Sequence, residues 1–250
     1  MGQGSGQKEA SGIMKSPMIT GLSVNDHGTG NDITIDDNVI ATRASLTING
    51  RNNSITIGHE VNLTRATIIV RGSNCHISIG RSCRFKQGTL FLADNGTEFH
   101  CGEETTWESG QIIAQHGGKI HLGKHCMLSH DVMIRTSDSH GIFDMTSRQL
   151  LNPAKDVVVG NRVWIGNGAR LNKGVTIGND SVVAQLSVVS GTVGANTLVA
   201  GIPAKVLRTG IIWSRTMAWP ERASEMQSSS EPMDATDLTS ALNELSSDPV

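Results

Sequence analysis

From Val157 to Arg208 an aliphatic residue returns at every sixth position, Val159, Ile165, Leu171, Ile177, Val183 and Val189, and this period restricts the fold more than any other feature of the chain. A Gly stands directly after Val159, Ile165 and Ile177. Two positions before the aliphatic residues lies a second small or aliphatic series: Val157, Val163, Ala169, Val175, Ser181 and Ser187. A period of six suits neither a helix nor a long strand. It suits short parallel strands joined by tight turns, each strand pointing two side chains inward and the intervening one outward. The chain is expected to wind into a parallel β-helix.

A looser version of the pattern runs upstream. Pairs at Ile33/Ile35, Ile55/Ile57, Ile77/Ile79 and Ile120/Leu122 each precede Asp or Gly, and Phe99/Cys101 is a degenerate copy. These copies recur at about 22 residues, where the late repeat closes at 18, so each early coil should carry one enlarged corner or strand. Leu46–Ile48, Thr67–Val70, Thr89–Leu92, Gln111–Ala114 and Asp131–Arg135 are read as the strands between them. The periodicity fails only across residues 136–156, TSDSHGIFDMTSRQLLNPAKD, which is too long for a corner. Insertions of this size in a repeat are usually functional or disordered.

Composition agrees with a solenoid. The 250 residues include 28 Gly, no Tyr and only 3% aromatic residues, which suits a core of stacked Val, Ile and Leu, with Gly and Asn at corners of positive φ. The net charge of -2 provides no overall field to draw nucleic acid or a membrane surface. Cys75, Cys83, Cys101 and Cys126 lack the spacing of a disulfide framework or a zinc site and are read as buried, reduced thiols. No apolar run is long enough for a membrane span and no signal-peptide core opens the chain, so a cytoplasmic location is expected. Residues 1–28 are read as a disordered or artificially added leader, 29–208 as the β-helix with its insertion, and 209–250 as a partly disordered extension. Within the extension, Trp213 and Trp219 are expected to fold back on the solenoid end. Asp237 would cap a short helix bearing Leu238, Ala241, Leu242 and Leu245.

The stretch WIGNGARLNKGVTIGNDSVVAQLSVVSGTVGANTLVAGIPAKVLR resembles the late coils of the hexapeptide-repeat acyltransferases, most closely the bacterial polysaccharide and capsule O-acetyltransferases. Its ending, with Val199, Gly201, Pro203, Ala204 and Lys205 in the order V-x-G-x-P-A-K, is typical of that family. The resemblance implies an all-β, left-handed β-helix with three hexads per turn, assembled as a homotrimer. It also implies transfer of an acetyl group from acetyl-CoA to a sugar hydroxyl in a surface polysaccharide, sialic-acid polymers included. In such enzymes a loop at the place of the insertion presents a histidine as general base, a role that falls on His140. A sugar hydroxyl is a poor nucleophile near neutral pH, and an imidazole can take its proton during attack. Asp138 and Asp144 are both candidates to orient the ring.

Trp164 lies between inward Val163 and Ile165, so its indole must point out of the coil. The resemblance gives it a place beside the thioester; packing against a neighbouring subunit is the alternative. Coenzyme A, by the same resemblance, would lie in a groove between adjacent β-helices against backbone at Gly166, Gly168 and Ala184. Lys205 or Arg208 would be near its nucleotide, as charge-assisted donors to phosphate. No other phosphate-binding glycine motif competes.

Two other classes deserve weighing. A zinc carbonic anhydrase shares this fold and has two histidine ligands five residues apart, a spacing matched by His125 and His130, with His100 as a possible third. The surrounding GKHCMLSHD does not repeat that enzyme's motif, and no metal is expected. A non-catalytic scaffold would repeat one outward residue, as Thr34, Thr47 and Thr56 begin to do, but the series then changes to Ser78, His121 and Trp164.

Overall fold

The computed structural model describes residues 18–220 and the short strand Met14–Lys15. The chain is a left-handed parallel β-helix, a three-sided prism with no helix among the described residues. The first face stacks Asp32–Ile35, Ser54–Ile57, His76–Ile79, Glu98–Cys101, Lys119–Leu122, Val157–Val159, Thr176–Ile177 and Thr192–Val193 in parallel register. The second face runs from Ile40–Thr42 and Asn62–Thr64, through the opening residues of Arg84–Leu92 and Thr106–Ala114, to Met127–Leu128, Trp164–Ile165, Val182–Val183 and Thr197–Gly201. The third holds Leu22–Asp26, Ala44–Ile48, Ala66–Val70, the remainder of those two long strands, Val132–Arg135, Arg170–Leu171 and Val188–Val189.

Parity sets which side chains enter the prism. Val157, Val163, Leu171, Val175 and Ile177 are all fully buried, as the six-residue period requires. Ser181 and Ser187 hold inward positions of the last coils and are also fully buried. Ser181 compensates by donating to the Gly194 carbonyl at 2.7 Å, and Ser187 accepts from the Gly201 N–H at 3.1 Å. Mid-coil, Phe85, Phe99 and Trp107 meet edge to face, with Phe85 5.5 Å from Trp107. All four cysteines are buried and free.

Several expectations need correction. The winding begins before residue 29: Leu22–Asp26 pairs with Ala44–Ile48, and Met14–Lys15 pairs with Ile33 and Thr34. These positions of the leader therefore belong to the coil. The surplus of the early coils is shared between the third face, which gains one inward position at Ile48, Val70, Leu92 and Ala114, and the corner that follows it. Gly and Asn do take left-handed corners, as at Gly30, Asn52, Asn74 and Gly168, but other residue types share them. Between the first and second faces Ser82, Glu104, His125, Arg162 and Asp180 all have φ between 53° and 58°. Each such residue costs about 1 kcal/mol. The cost is offset because each N–H donates to a carbonyl of the preceding coil's corner, as Ser82 does to His59 at 2.7 Å and Arg162 to Lys124 at 2.8 Å.

The V-x-G-x-P-A-K ending is not another coil. Ala204–Thr209 turns back antiparallel on Thr197–Gly201 and covers the last rung of the second face. The chain then runs as a strap along the side of the prism, not over its end. The Trp213 indole N–H donates to the Arg162 carbonyl at 2.6 Å. Arg215 reaches the Cys126 carbonyl and the Thr106 hydroxyl, both at 2.9 Å. Trp219 stays exposed. The helix expected after Asp237 lies outside the described residues, as do residues 1–13.

Candidate active site

The third face stops at Arg135 and the first resumes at Val157, so residues 136–156 leave the coil at the corner between those two faces. Their base is pinned from both sides. Ser139 donates to the Gln115 side chain of the preceding coil at 2.9 Å. Lys173 of the next coil donates to Asp138 at 2.6 Å and to the Asn152 carbonyl at 2.7 Å. Beyond the base the segment is a hairpin, bridged at Phe143 and Leu150, with the Leu151 N–H bonded to the Ile142 carbonyl at 2.7 Å. A long break in the repeat suggests flexibility, but this one is internally hydrogen-bonded. Ile142, Phe143, Met145 and Leu151 are exposed on it.

His140 sits exposed near the base of this hairpin. Neither candidate carboxylate is hydrogen-bonded to its ring. Asp138 is committed to Lys173, which together with Asn152 lowers its carboxyl pKa. Asp144 accepts from the N–H groups of Ser147 and Thr146, closing its own turn, and those bonds lower its pKa too. The residue that holds His140 in place is Asn152. Its amide donates to the His140 carbonyl and to Asp138, both at 2.9 Å, while its oxygen accepts from the Ile142 N–H at 2.6 Å. Asn152 precedes Pro153, and that dipeptide, which favours an extended residue before the proline, was the available signal.

Trp164 stands on the second face with its indole outward, as parity demands. Its N–H donates to the Ser129 hydroxyl at 3.3 Å, and its ring centroid is 6.0 Å from that of Trp213. Strand register places it in one file with Arg84, Thr106 and Met127 on one side and Val182, Leu198 and Arg208 on the other. The second face lies opposite the corner that bears His140. Within one chain the two residues do not come together.

Gly166, Gly168 and Ala184 gather at the corner between the second and third faces. Their N–H groups are already used, donating to Val183, His130 and Val199 carbonyls at 2.8–2.9 Å. The Gly166 carbonyl also accepts from the Ala169 N–H at 3.2 Å. Lys205 and Arg208 lie exposed on the final hairpin strand, and neither forms an ion pair among the described residues.

The remaining histidines do not form one site. His125 is at the corner before the second face, 3.3 Å from Glu104, and His130 follows that face, 3.4 Å from Ser109. His100 is on the first face, stacked on His121 with ring centroids 4.3 Å apart. No group of three or more His, Cys, Asp or Glu side chains among the described residues is arranged to hold a metal ion. His76, His100 and His121 line a groove of about 460 Å³ on that face. Burial, then the neighbouring His121 and His76, hold the His100 pKa down to about 4.

Residues 156–191 match the family described as bacterial transferase hexapeptide (six repeats). Over 115 residues, 46% of this chain, the sequence is 34% identical to a polysialic acid O-acetyltransferase of Escherichia coli O1:K1 / APEC. The fold is similar to that of the polysialic acid O-acetyltransferase OatWY, with a TM-score of 0.77 and 30% identity over 82% of this chain and 97% of that one. It is equally similar to the polySia-specific acetyltransferase NeuO, with a TM-score of 0.77 and 31% identity over 83% and 98% of the two chains. The curated relatives are matched over less than two thirds of their own length, 38% and 54%. The chain belongs to the hexapeptide-repeat acyltransferases. No helix among the described residues is long and apolar enough to cross a membrane.

Proposed function

We propose that this protein transfers the acetyl group of acetyl-CoA to a hydroxyl of a sugar in a bacterial surface polysaccharide, a sialic-acid polymer being the best-supported acceptor. The observation that carries the reading is an exposed imidazole on an ordered insertion combined with an outward indole on the second face, in a chain similar to polysialic acid O-acetyltransferases along most of its length. Because the two side chains lie on opposite sides of one prism, the active site is assembled between copies, in a homotrimer. One copy brings His140 and the next brings Trp164. The exposed apolar side chains of the hairpin, Ile142, Phe143, Met145 and Leu151, support its role as an intersubunit contact.

In this arrangement the neutral His140 ring accepts the acceptor hydroxyl's proton as that oxygen attacks the thioester carbonyl. The tetrahedral adduct collapses, the C–S bond breaks, and the imidazolium returns the proton to the leaving sulfur. The products are an O-acetyl sugar and the free thiol. Trp164 walls the thioester, while the carbonyls of Gly166, Gly168 and Ala184 face the pantetheine arm and Lys205 and Arg208 meet the phosphates. Acetyl-CoA as donor puts the reaction in the cytoplasm.

Thiol release from acetyl-CoA against a panel of oligosaccharides, with mass spectrometry of the products, tests the reading. His140→Ala should lower turnover about 10²–10⁴-fold without altering the thermal melt. Near-full turnover in that variant, or equal thiol release with and without every sugar, would overturn it.

A further inference from the structure

The file of outward residues on the second face has an asymmetric charge pattern. On one side of Trp164 lies the final hairpin with Lys205 and Arg208. On the other lies a groove of about 210 Å³ whose lining includes Arg84, Lys86, Glu108, Met127, Ser129 and Arg215. Ser129 joins the two, since it also accepts from the Trp164 indole. The groove holds three cations and one carboxylate, and that carboxylate, Glu108, is taken by Lys86 at 2.9 Å. Arg84 and Arg215 are left without an ion pair among the described residues.

Arg215 is held there by neutral groups only. It donates to the Thr106 hydroxyl and the Cys126 carbonyl at 2.9 Å, and more weakly to the His125 and Glu104 carbonyls at 3.4 and 3.5 Å. It arrives on the C-terminal strap, two residues after Trp213 is buried against the Arg162 carbonyl. Desolvation against the sheet, then the neighbouring Arg84, lower its pKa, outweighing the opposite pull of Cys126 and Glu104. Two guanidinium groups brought together are unfavourable in the free protein when the nearby carboxylate, Glu104, is 3.3 Å from His125 and pairs with neither of them. They become favourable when a planar anion comes between them, held by paired hydrogen bonds from the Arg84 fork and by the Nε–H and second Nη1 N–H that Arg215 does not spend on Thr106 and the carbonyls.

We propose that Arg84 and Arg215 form a carboxylate subsite for an anionic acceptor glycan; this rests on the acyl-transfer reading above. The register separates this subsite from the donor's phosphates. Arg84 is three rungs from Trp164, through Thr106 and Met127, and Arg208 is three rungs away on the opposite side, through Val182 and Leu198. At about 4.8 Å per rung, the two basic ends are roughly 29 Å apart with the indole midway. A donor whose phosphates lie at the hairpin end, with its thioester at Trp164, leaves the Arg84 end for the acceptor. The strap thereby acts in specificity: the segment that runs back along the side of the prism carries half of the subsite.

The test uses the full chain and an α2,8-linked sialic-acid oligomer, alongside the same oligomer with its carboxyl groups reduced to alcohols. Calorimetric titration reads binding with no need for turnover, so failure here is distinguishable from failure of the acyl-transfer reading, which would appear as no thiol release in the unsubstituted protein. Arg84→Gln and Arg215→Gln should each weaken binding of the carboxylated oligomer by about 10–100-fold. Arg84→Lys should recover part of the loss, and the reduced oligomer should bind the unsubstituted protein as weakly as the carboxylated one binds the variants. In kinetics the same variants should raise KM for the carboxylated acceptor and leave KM for acetyl-CoA in place. Equal binding of the two oligomers, or variants that raise KM for acetyl-CoA instead, would overturn the assignment, the latter by giving the anion to the donor.

Discussion

Trp164 projects from the second face, while His140 is tied to Asn152, Lys173 and Gln115 at the opposite corner. If the site forms between copies, two inactive variants should complement each other. His140→Ala chains keep the indole and Trp164→Ala chains keep the imidazole. In a cyclic trimer of mixed composition, 2:1 or 1:2, only one of the three junctions joins an intact His140 to an intact Trp164. Mixed trimers isolated by two different affinity tags should thus recover about one third of unsubstituted turnover, whichever variant is in excess. Each homogeneous variant should stay well below that level, His140→Ala by the loss of its general base. Thiol release with a saturating acceptor is the assay. Mixed trimers no more active than the better parent would mean that the site lies within one chain, and light scattering showing a monomer would remove the junction altogether.

Other perturbations test the coil and its strap. Ile177 is fully buried in the stack, and Ile177→Ala should cost about 2–5 kcal/mol; a urea-unfolding loss below about half a kilocalorie would refute the inward register. Asp180 is buried and receives both Nε and Nη2 of Arg162, at 2.8 and 2.6 Å. Asp180→Asn should cost about 3 kcal/mol, because it leaves a partly buried guanidinium poorly paired, and an unchanged melt would discount the pair. His100 is held at about pKa 4 in the fold, below its value of 6.5 in an open chain. Between those values the unfolded chain binds the proton and the native one does not, so stability should fall as pH drops from about 6.5 to 4. With solvent screening allowed for, the loss is on the order of 1–2 kcal/mol. His100→Gln should flatten that decline, and an identical slope would rule the residue out. Trp213→Ala should release the strap, seen as faster proteolysis after Arg215 with little change in the main melt.

A six-residue period can be satisfied in few ways, so the prism, its inward residues and the outward direction of Trp164 were all legible in the linear sequence. The break at residues 136–156 was legible for the same reason, because a solenoid corner has no use for so long a segment. Composition disclosed the buried thiols and part of the corners. Gly and Asn were expected there, and Gly30, Asn52, Asn74 and Gly168 do have positive φ, yet Glu104, His125 and Arg162 also adopt left-handed conformations because the neighbouring coil supplies a carbonyl for each N–H. That compensation is invisible to residue propensity. Likewise, Asp138 and Asp144 looked equivalent beside His140 until Lys173, in the following coil, claimed one carboxylate and a local turn the other. Asn152 became visible only when the hairpin closed across it. The sequence alone thus determined the coil and the residues that leave it, since these follow from local period and parity. The tertiary structure decided which residues meet: it set His140 and Trp164 on opposite sides of the prism and brought Arg215 back beside Arg84 from more than a hundred positions away. Such meetings depend on how many turns the chain makes and where its end folds back, and no local period encodes either.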